Sequence, residues 1–172
     1  MTFSVWLEPI PQDAKYLRKI IGHLAKKYGA PTFTPHVTLY SGIGKYLQAE
    51  EAVKKCTGFP KLRLQTKNIA FSNYLWKTLF VNIKQDDNMR LVNKCLRNSL
   101  EHSTRYEFKP HISLIYKKMD AKTKYHLSKT IKIKQSFTFD KITIISSSKN
   151  IRKWKKRKTI QLKKTRSRAL LK

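Results

Sequence analysis

The sequence predicts an α+β protein built by internal duplication, and three observations carry that prediction. Segments of strand and helix periodicity follow one another as strand, helix, strand, helix, strands, and the same order then recurs. A short segment, Phe33-Thr34-Pro35-His36-Val37-Thr38-Leu39-Tyr40, returns as Phe108-Lys109-Pro110-His111-Ile112-Ser113-Leu114-Ile115-Tyr116, at the equivalent place in each half. Hydrophobic residues make up 40% of the 172-residue chain, enough for one packed interior and too scattered for the ~20-residue run of a membrane span.

Residues 3–8 alternate around Val5, Trp6 and Leu7 and suit a central strand that Pro9-Ile10-Pro11 ends. From Asp13 the apolar positions Leu17, Ile20, Ile21, Leu24 and Tyr28 form one helical stripe. Lys26 and Lys27 fill its last turn and Gly29 stops it. The first repeat is a strand closed by Ser41-Gly42-Ile43-Gly44, and a shorter helix over 48–55 stops before Gly58 and Pro60. Leu62 and Leu64, then Ile69 and Phe71, alternate as strands. Asn73-Tyr74 reads as a turn, and Leu79, Val81 and Ile83 share the inner face of the next strand. Asp86 or Asp87 caps a helix carrying Met89, Val92, Leu96 and Leu100 ahead of the second repeat strand. Asp120 caps another helix to about Lys129, and residues 131–139 and 142–146 read as a pair of strands.

The chemistry lies in the spacing of the two repeats. Side chains two apart on a strand share a face, so His36 projects with Thr38, and His111 with Ser113. Val37, Leu39, Ile112 and Leu114 point the other way, into a core. A single histidine–hydroxyl pair means little, since most histidines are solvated or satisfied in a core. Duplication explains the recurring apolar and proline positions, but not a histidine and a hydroxyl recurring together on the polar face. By the same alternation Tyr40 joins His36 and Thr38 on the cleft side, whereas Tyr116 should point away from His111 unless the strand ends or bulges before it.

Composition narrows the class. Lys and Arg number 38 against ten acids, a formal charge of +28, which implies polyanionic surroundings such as RNA, DNA or an anionic surface. From Lys149 onward there is no acid, but Trp154, Ile160 and Leu162 keep an apolar spacing. Residues 153–162 are therefore expected to complete a sheet, with residues 1–163 as the domain and 164–172 as a basic tail able to meet a phosphate backbone. The start of the sequence lacks a signal-peptide pattern, so an intracellular protein, in cytoplasm or nucleus, is expected. Cys56 and Cys95 are expected as reduced thiols. His23, His102 and His126 read as surface residues. No metal-ligand spacing, phosphate loop or dinucleotide glycine pattern occurs, so no cofactor is expected.

The two repeats resemble the signature of the two-histidine phosphoesterase superfamily, also called LigT-like, whose motifs are His-x-Thr/Ser, twice. The resemblance is strongest to eukaryotic-type cyclic nucleotide phosphodiesterases. These share the opening strand Ser4-Val5-Trp6-Leu7-Glu8-Pro9, the Phe-x-Pro-His-Val-Thr first motif and the tyrosine five residues after the second histidine, here Tyr116. It runs from about Phe3 to about Leu162. It implies a bilobal duplication, two antiparallel sheets around a central cleft with helices outside, working as a monomer without metal. It further implies that His36 and His111 act as acid and base on a cyclic phosphate, with Thr38 and Ser113 donating to its oxygens. Family precedent has His111 activating water and His36 protonating the leaving group. Tyr116, Trp6 and Tyr40 are the expected substrate contacts. Nucleoside 2′,3′-cyclic phosphates, or ADP-ribose 1″,2″-cyclic phosphate, would open to the 2′- or 1″-phosphate. The alternatives are cleavage of 2′–5′ or 3′–5′ linkages or of RNA ends by the same residues, and RNA binding without catalysis.

Overall fold

The computed structural model describes residues 2–100 and 106–163. The expected tail, 164–172, and His102 lie outside the described residues. The elements run β1 (Thr2–Pro9), α1 (Pro11–Tyr28), β2 (Val37–Ile43), α2 (Tyr46–Lys54), β3 (Leu62–Phe71), β4 (Leu79–Ile83), α3 (Asp87–Ser99), β5 (His111–Ile115), α4 (Ala121–Thr130), β6 (Ser136–Ser147) and β7 (Lys155–Gln161). Single 3₁₀ turns at Leu75–Lys77 and Ile151–Lys153 precede β4 and β7.

Among the described residues, seven strands form one antiparallel set ordered β1-β2-β5-β4-β3-β6-β7, with β1 also paired to β6. The two sheets expected from the resemblance are thus continuous, yet the duplication is plain. One lobe is β2-β1-β6-β7 and the other β5-β4-β3-β6. Strand β6 serves both: Ser136–Phe139 pair with β3, and Lys141–Ser146 pair with β7. Between the two repeat strands, the lobes pair through the Val37–Ile112 bridge. Each crossover helix reaches over the other lobe, α1 packing on β5 and α3 on β2. Val5, Leu7, Leu17, Val37, Leu39, Val81, Val92, Leu96, Ile112, Leu114 and Ile144 are fully buried or nearly so between helices and sheet.

Local chemistry sets the ends of the elements. Helix α1 begins two residues earlier than its apolar stripe, because Pro11 fits the first turn, where no amide donor is needed. Gly29 ends it in the left-handed conformation, φ 62°. Asp86 and Asp120 cap α3 and α4 through the amides of Met89 and Thr123, each at 2.8 Å. The pair of strands expected at 131–139 and 142–146 is instead the one long strand β6. Polar Asp140 and Lys141 do not interrupt it, since β1 pairs alongside across this point. Lys61 also faces the Asp140 carboxylate at 3.9 Å. Residues 62–71 are likewise one strand, and β2 continues through Ser41-Gly42-Ile43, Gly42 taking φ 86°.

Both repeat strands carry the same bulge. On β2, Thr38 stands opposite Trp6 and Tyr40 opposite Val5, so Leu39 is the extra residue. On β5, Ser113 stands opposite Phe80 and Ile115 opposite Leu79, so Leu114 is extra. A bulge reverses the facing of everything beyond it. Tyr40 and Ile115 therefore enter the core, while Ser41 and Tyr116 turn to the cleft. This corrects the expectation for Tyr40, which rested on strict alternation: it is 4% exposed, packs its ring 5.7 Å from that of Tyr106 and does not line the cleft. The same displacement resolves the difficulty over Tyr116. Asn93 of α3 steadies the first bulge, its side-chain amide donating to the Leu39 carbonyl at 2.9 Å.

Candidate active site

Where the lobes meet, a cleft of about 730 Å³ is lined by His36, Thr38, His111, Ser113, Tyr116 and Trp6, all expected there from the sequence. The Val37–Ile112 bridge explains the convergence. In that antiparallel register His36 stands across from Ser113 and Thr38 across from His111, so each histidine faces the other repeat's hydroxyl position.

The two rings are held in the same way. His36 Nδ1 bonds the Thr34 carbonyl and His111 Nδ1 the Lys109 carbonyl, each two residues upstream and each at 2.7 Å. A carbonyl only accepts, so both Nδ1 atoms carry hydrogen, and Nε2 is the nitrogen left to a ligand. Burial lowers both histidines. His36 is pushed down to about 3 by desolvation, with smaller lowering from the charges of His111 and Lys156, against the raising effect of its carbonyl bond. His111, half-buried, is lowered by desolvation and then by Lys77. Trp6 lies flat on His36, ring centroids 3.5 Å apart and planes 6° off parallel. Its counterpart Phe80 meets His111 edge-on at 5.3 Å.

The hydroxyls differ too. Ser113 is 4% exposed and its Oγ–H donates to the Trp76 carbonyl at 3.2 Å. Burial pushes the Tyr116 phenol up to about 12, so it stays a donor at neutral pH. Thr38 lies in the cleft wall, and its backbone carbonyl accepts from the Tyr106 hydroxyl at 3.0 Å.

Sequence reasoning missed several lining residues. Trp76 and Lys77 come from the turn before β4, and Trp154, expected only as part of a terminal strand, closes the wall. Trp154 meets Trp6, Trp76 and Tyr116 at 5.3, 5.7 and 5.9 Å. The tryptophans of the chain thus gather in one aromatic wall. An aromatic run in a turn, Tyr74-Leu75-Trp76, was the available signal, because exposed turns seldom carry such bulk. Among the described residues, no group of three or more His, Cys, Asp or Glu side chains is arranged to hold a metal. No helix there is long and apolar enough to cross a membrane. Cys56 and Cys95 are free thiols with sulfurs 3.7 Å apart.

Known proteins share this fold. The family described as cyclic phosphodiesterase-like protein matches residues 1–65. A cyclic phosphodiesterase of Arabidopsis thaliana is 24% identical over 126 residues, covering 71% of this chain and 68% of its own. The crystal structure of E. coli LigT complexed with 3′-AMP superposes with a TM-score of 0.61 at 15% identity, over 94% of this chain and 97% of LigT. The TT0787 protein of Thermus thermophilus gives 0.66 at 13% identity, over 96% and 100%. With the duplicated His-x-Thr and His-x-Ser strands converging on one cleft, the chain has the fold of LigT and resembles cyclic phosphodiesterase-like proteins over its first 65 residues.

Proposed function

We propose that the protein is a phosphodiesterase that opens nucleoside 2′,3′-cyclic phosphates, or ADP-ribose 1″,2″-cyclic phosphate, to the 2′- or 1″-phosphate. Residues 1–163 form the catalytic domain of this reading, and the basic residues 164–172 supply contacts to a phosphate backbone. The observation that carries it is the matched pair of imidazoles, each fixed through Nδ1 with Nε2 left for one shared cleft.

The reaction needs one neutral and one protonated ring. His36 is the more deeply buried, so the pair's first proton settles on His111. Stacking on Trp6 favours an imidazolium at His36 by ~0.5–2 kcal/mol, less than the several kcal/mol that its desolvation implies. We therefore assign His36 as base and His111 as acid, the reverse of the roles family precedent suggests. Water attacks phosphorus in line with the ribose 3′-oxygen, and its proton passes to His36 Nε2. The P–O3′ bond breaks as His111 Nε2–H protonates that oxygen, leaving the 2′-phosphate. Proton exchange with solvent resets the pair.

Charge gathering on the non-bridging oxygens is met by Thr38, Tyr116 and the ammonium of Lys77, all in the cleft wall. Ser113 joins them once its hydroxyl turns from the Trp76 carbonyl. Trp6 and the Trp76–Trp154 wall offer faces for a base. Incubation with 2′,3′-cyclic AMP in the presence of a chelator tests the reading. It predicts 2′-AMP as product; 3′-AMP, or no turnover, would overturn it.

A further inference from the structure

The two lobes carry outer helices of very different charge. In the first lobe, α2 packs on β1, β2, β6 and β7, and α3 packs on β2. These two helices hold four cations against three acids, Glu50, Glu51 and Asp87. In the second lobe, α1 packs on β5 and α4 on β3, and no residue of either helix lines the cleft. They hold eight cations against one acid, Asp13. A lysine-rich composition alone would load both pairs of helices alike, so the excess belongs to this face.

Ties at both ends set α1 and α4 antiparallel. Ahead of α4, Lys117 donates through Nζ to the Tyr28 carbonyl at the close of α1. Behind α4, the Lys132 carbonyl accepts from the Tyr16 hydroxyl at 3.1 Å, and Lys134 pairs with Asp13 at 3.0 Å. The apolar side of α1, with Leu17, Ile21 and Leu24, is buried in the core, which leaves Lys15, Arg18, Lys19, His23, Lys26 and Lys27 exposed. Steps of three and four residues align these in a row ~18 Å long. Lys122 and Lys129 of α4 are exposed as well, as is Lys132 beyond it. The nearby acids do not relieve this charge. Asp13 is buried, its second oxygen accepting from the Thr138 amide at 2.8 Å, and Asp120 caps α4. Among the described residues, no ion pair involves Lys15, Arg18, Lys19, Lys26 or Lys27. Like charges at these spacings repel, and a polyanion laid along the row removes that repulsion.

The face fits a nucleic-acid duplex better than other polyanions. Helices that lie on a bilayer bury large apolar side chains in it. Among the described residues, the exposed large hydrophobics include only Tyr125 from α1 and α4, while Leu47 and Leu91 stand on the near-neutral helices. A single strand calls for a groove with several aromatic platforms. A duplex asks only for cations in a row, since it presents a negative charge per ~1.7 Å of its axis.

We propose that the α1–α4 face docks on the phosphate backbone of an RNA duplex, apart from the cleft. The choice of RNA over DNA rests on the proposed function, because a 2′,3′-cyclic phosphate forms only at a ribose end. The duplex contact itself does not depend on that reading.

Fluorescence anisotropy of the full chain with an RNA duplex of about 16 base pairs, ending in plain hydroxyls, tests the proposal without turnover. Lys15→Gln, Arg18→Gln and Lys19→Gln combined should weaken binding roughly tenfold or more and lower the slope of log K against log salt by about 2–3. A charge-matched triple on the first lobe, Lys54→Gln, Lys94→Gln and Arg97→Gln, should weaken it less than about threefold. Equal losses in the two triples, or no loss in the first, would overturn the proposal. So would tighter binding to phosphatidylserine vesicles, or to a DNA duplex of the same sequence. Neither triple touches the cleft, so both should keep the wild-type kcat/KM on 2′,3′-cyclic AMP. Failure of the wild type to open that substrate would bring down the functional reading alone, with docking still decided by the anisotropy.

Discussion

The two lobes hold the same motif, the same bulge and the same carbonyl bond to histidine, yet they surround their rings differently. His36 is sealed beneath Trp6 and 5% exposed; His111 is half-buried, touches Phe80 only by its edge and feels Lys77. What the lobes share serves geometry, placing each Nε2 at one cleft. What separates them serves protonation: unequal burial splits the proton affinities. A duplicated scaffold thus yields an asymmetric site from a handful of substitutions.

Removing either ring breaks the comparison outright. His36→Ala and His111→Ala should each lower kcat on 2′,3′-cyclic AMP by about 10²–10⁴-fold, with unchanged circular dichroism. The two losses should diverge on an aryl phosphodiester, whose leaving group needs no proton. There His111→Ala should recover most of its activity and His36→Ala should not; the opposite pattern would exchange the acid and base roles.

The hydroxyls give the next largest effect. Thr38→Val should cost about 10²-fold in kcat/KM, in the range of a lost oxyanion donor, and Ser113→Ala roughly tenfold, because the Ser113 proton is held by the Trp76 carbonyl. Equal losses would show that Ser113 turns freely to the phosphate.

The acid–base asymmetry also sets two pH profiles. For the free protein, kcat/KM should fall as pH rises through the lowered value of His111, so its optimum lies on the acid side of 6.5. A bound phosphate anion raises both rings and moves the kcat optimum upward. Stability follows from His36: the unfolded chain binds its proton below about 6.5 and the folded chain only near 3. The stabilisation of neutral His36 is therefore complete above pH 6.5 and is lost as pH falls towards 3. Denaturant midpoints should drop across that window, and His36→Phe should flatten the slope.

The smallest expected effect concerns the bulge. Asn93→Ala strands the buried Leu39 carbonyl and should cost ~1–3 kcal/mol in unfolding, with a modest loss of activity as Ser41 and Thr38 lose their alignment. An unchanged midpoint would show that the bulge holds without α3.

Much of this was legible in the residues. The histidine–hydroxyl spacing fixed which side chains share a face, and the caps Asp86, Asp120 and Gly29 fixed helix ends, because these signals act within a few residues. What escaped was long-range. Alternation cannot reveal that Leu39 and Leu114 bulge, since a bulge exists only against a partner strand, and this error misplaced Tyr40. Strand β6 looked like two strands because Asp140 and Lys141 are polar, while its continuity comes from pairing with β1. Trp76, Lys77 and Trp154 depend on loops and strands distant in sequence meeting at one cleft.

The central claim, that both imidazoles offer Nε2 to a single phosphate, is tested most directly by nitrogen NMR of the histidine rings during titration with 2′-AMP. Both rings should be Nδ1–H tautomers in the free protein, and the Nε2 resonances of His36 and His111 should shift together with one dissociation constant. Movement of only one of them, or an Nε2–H tautomer at either, would contradict it.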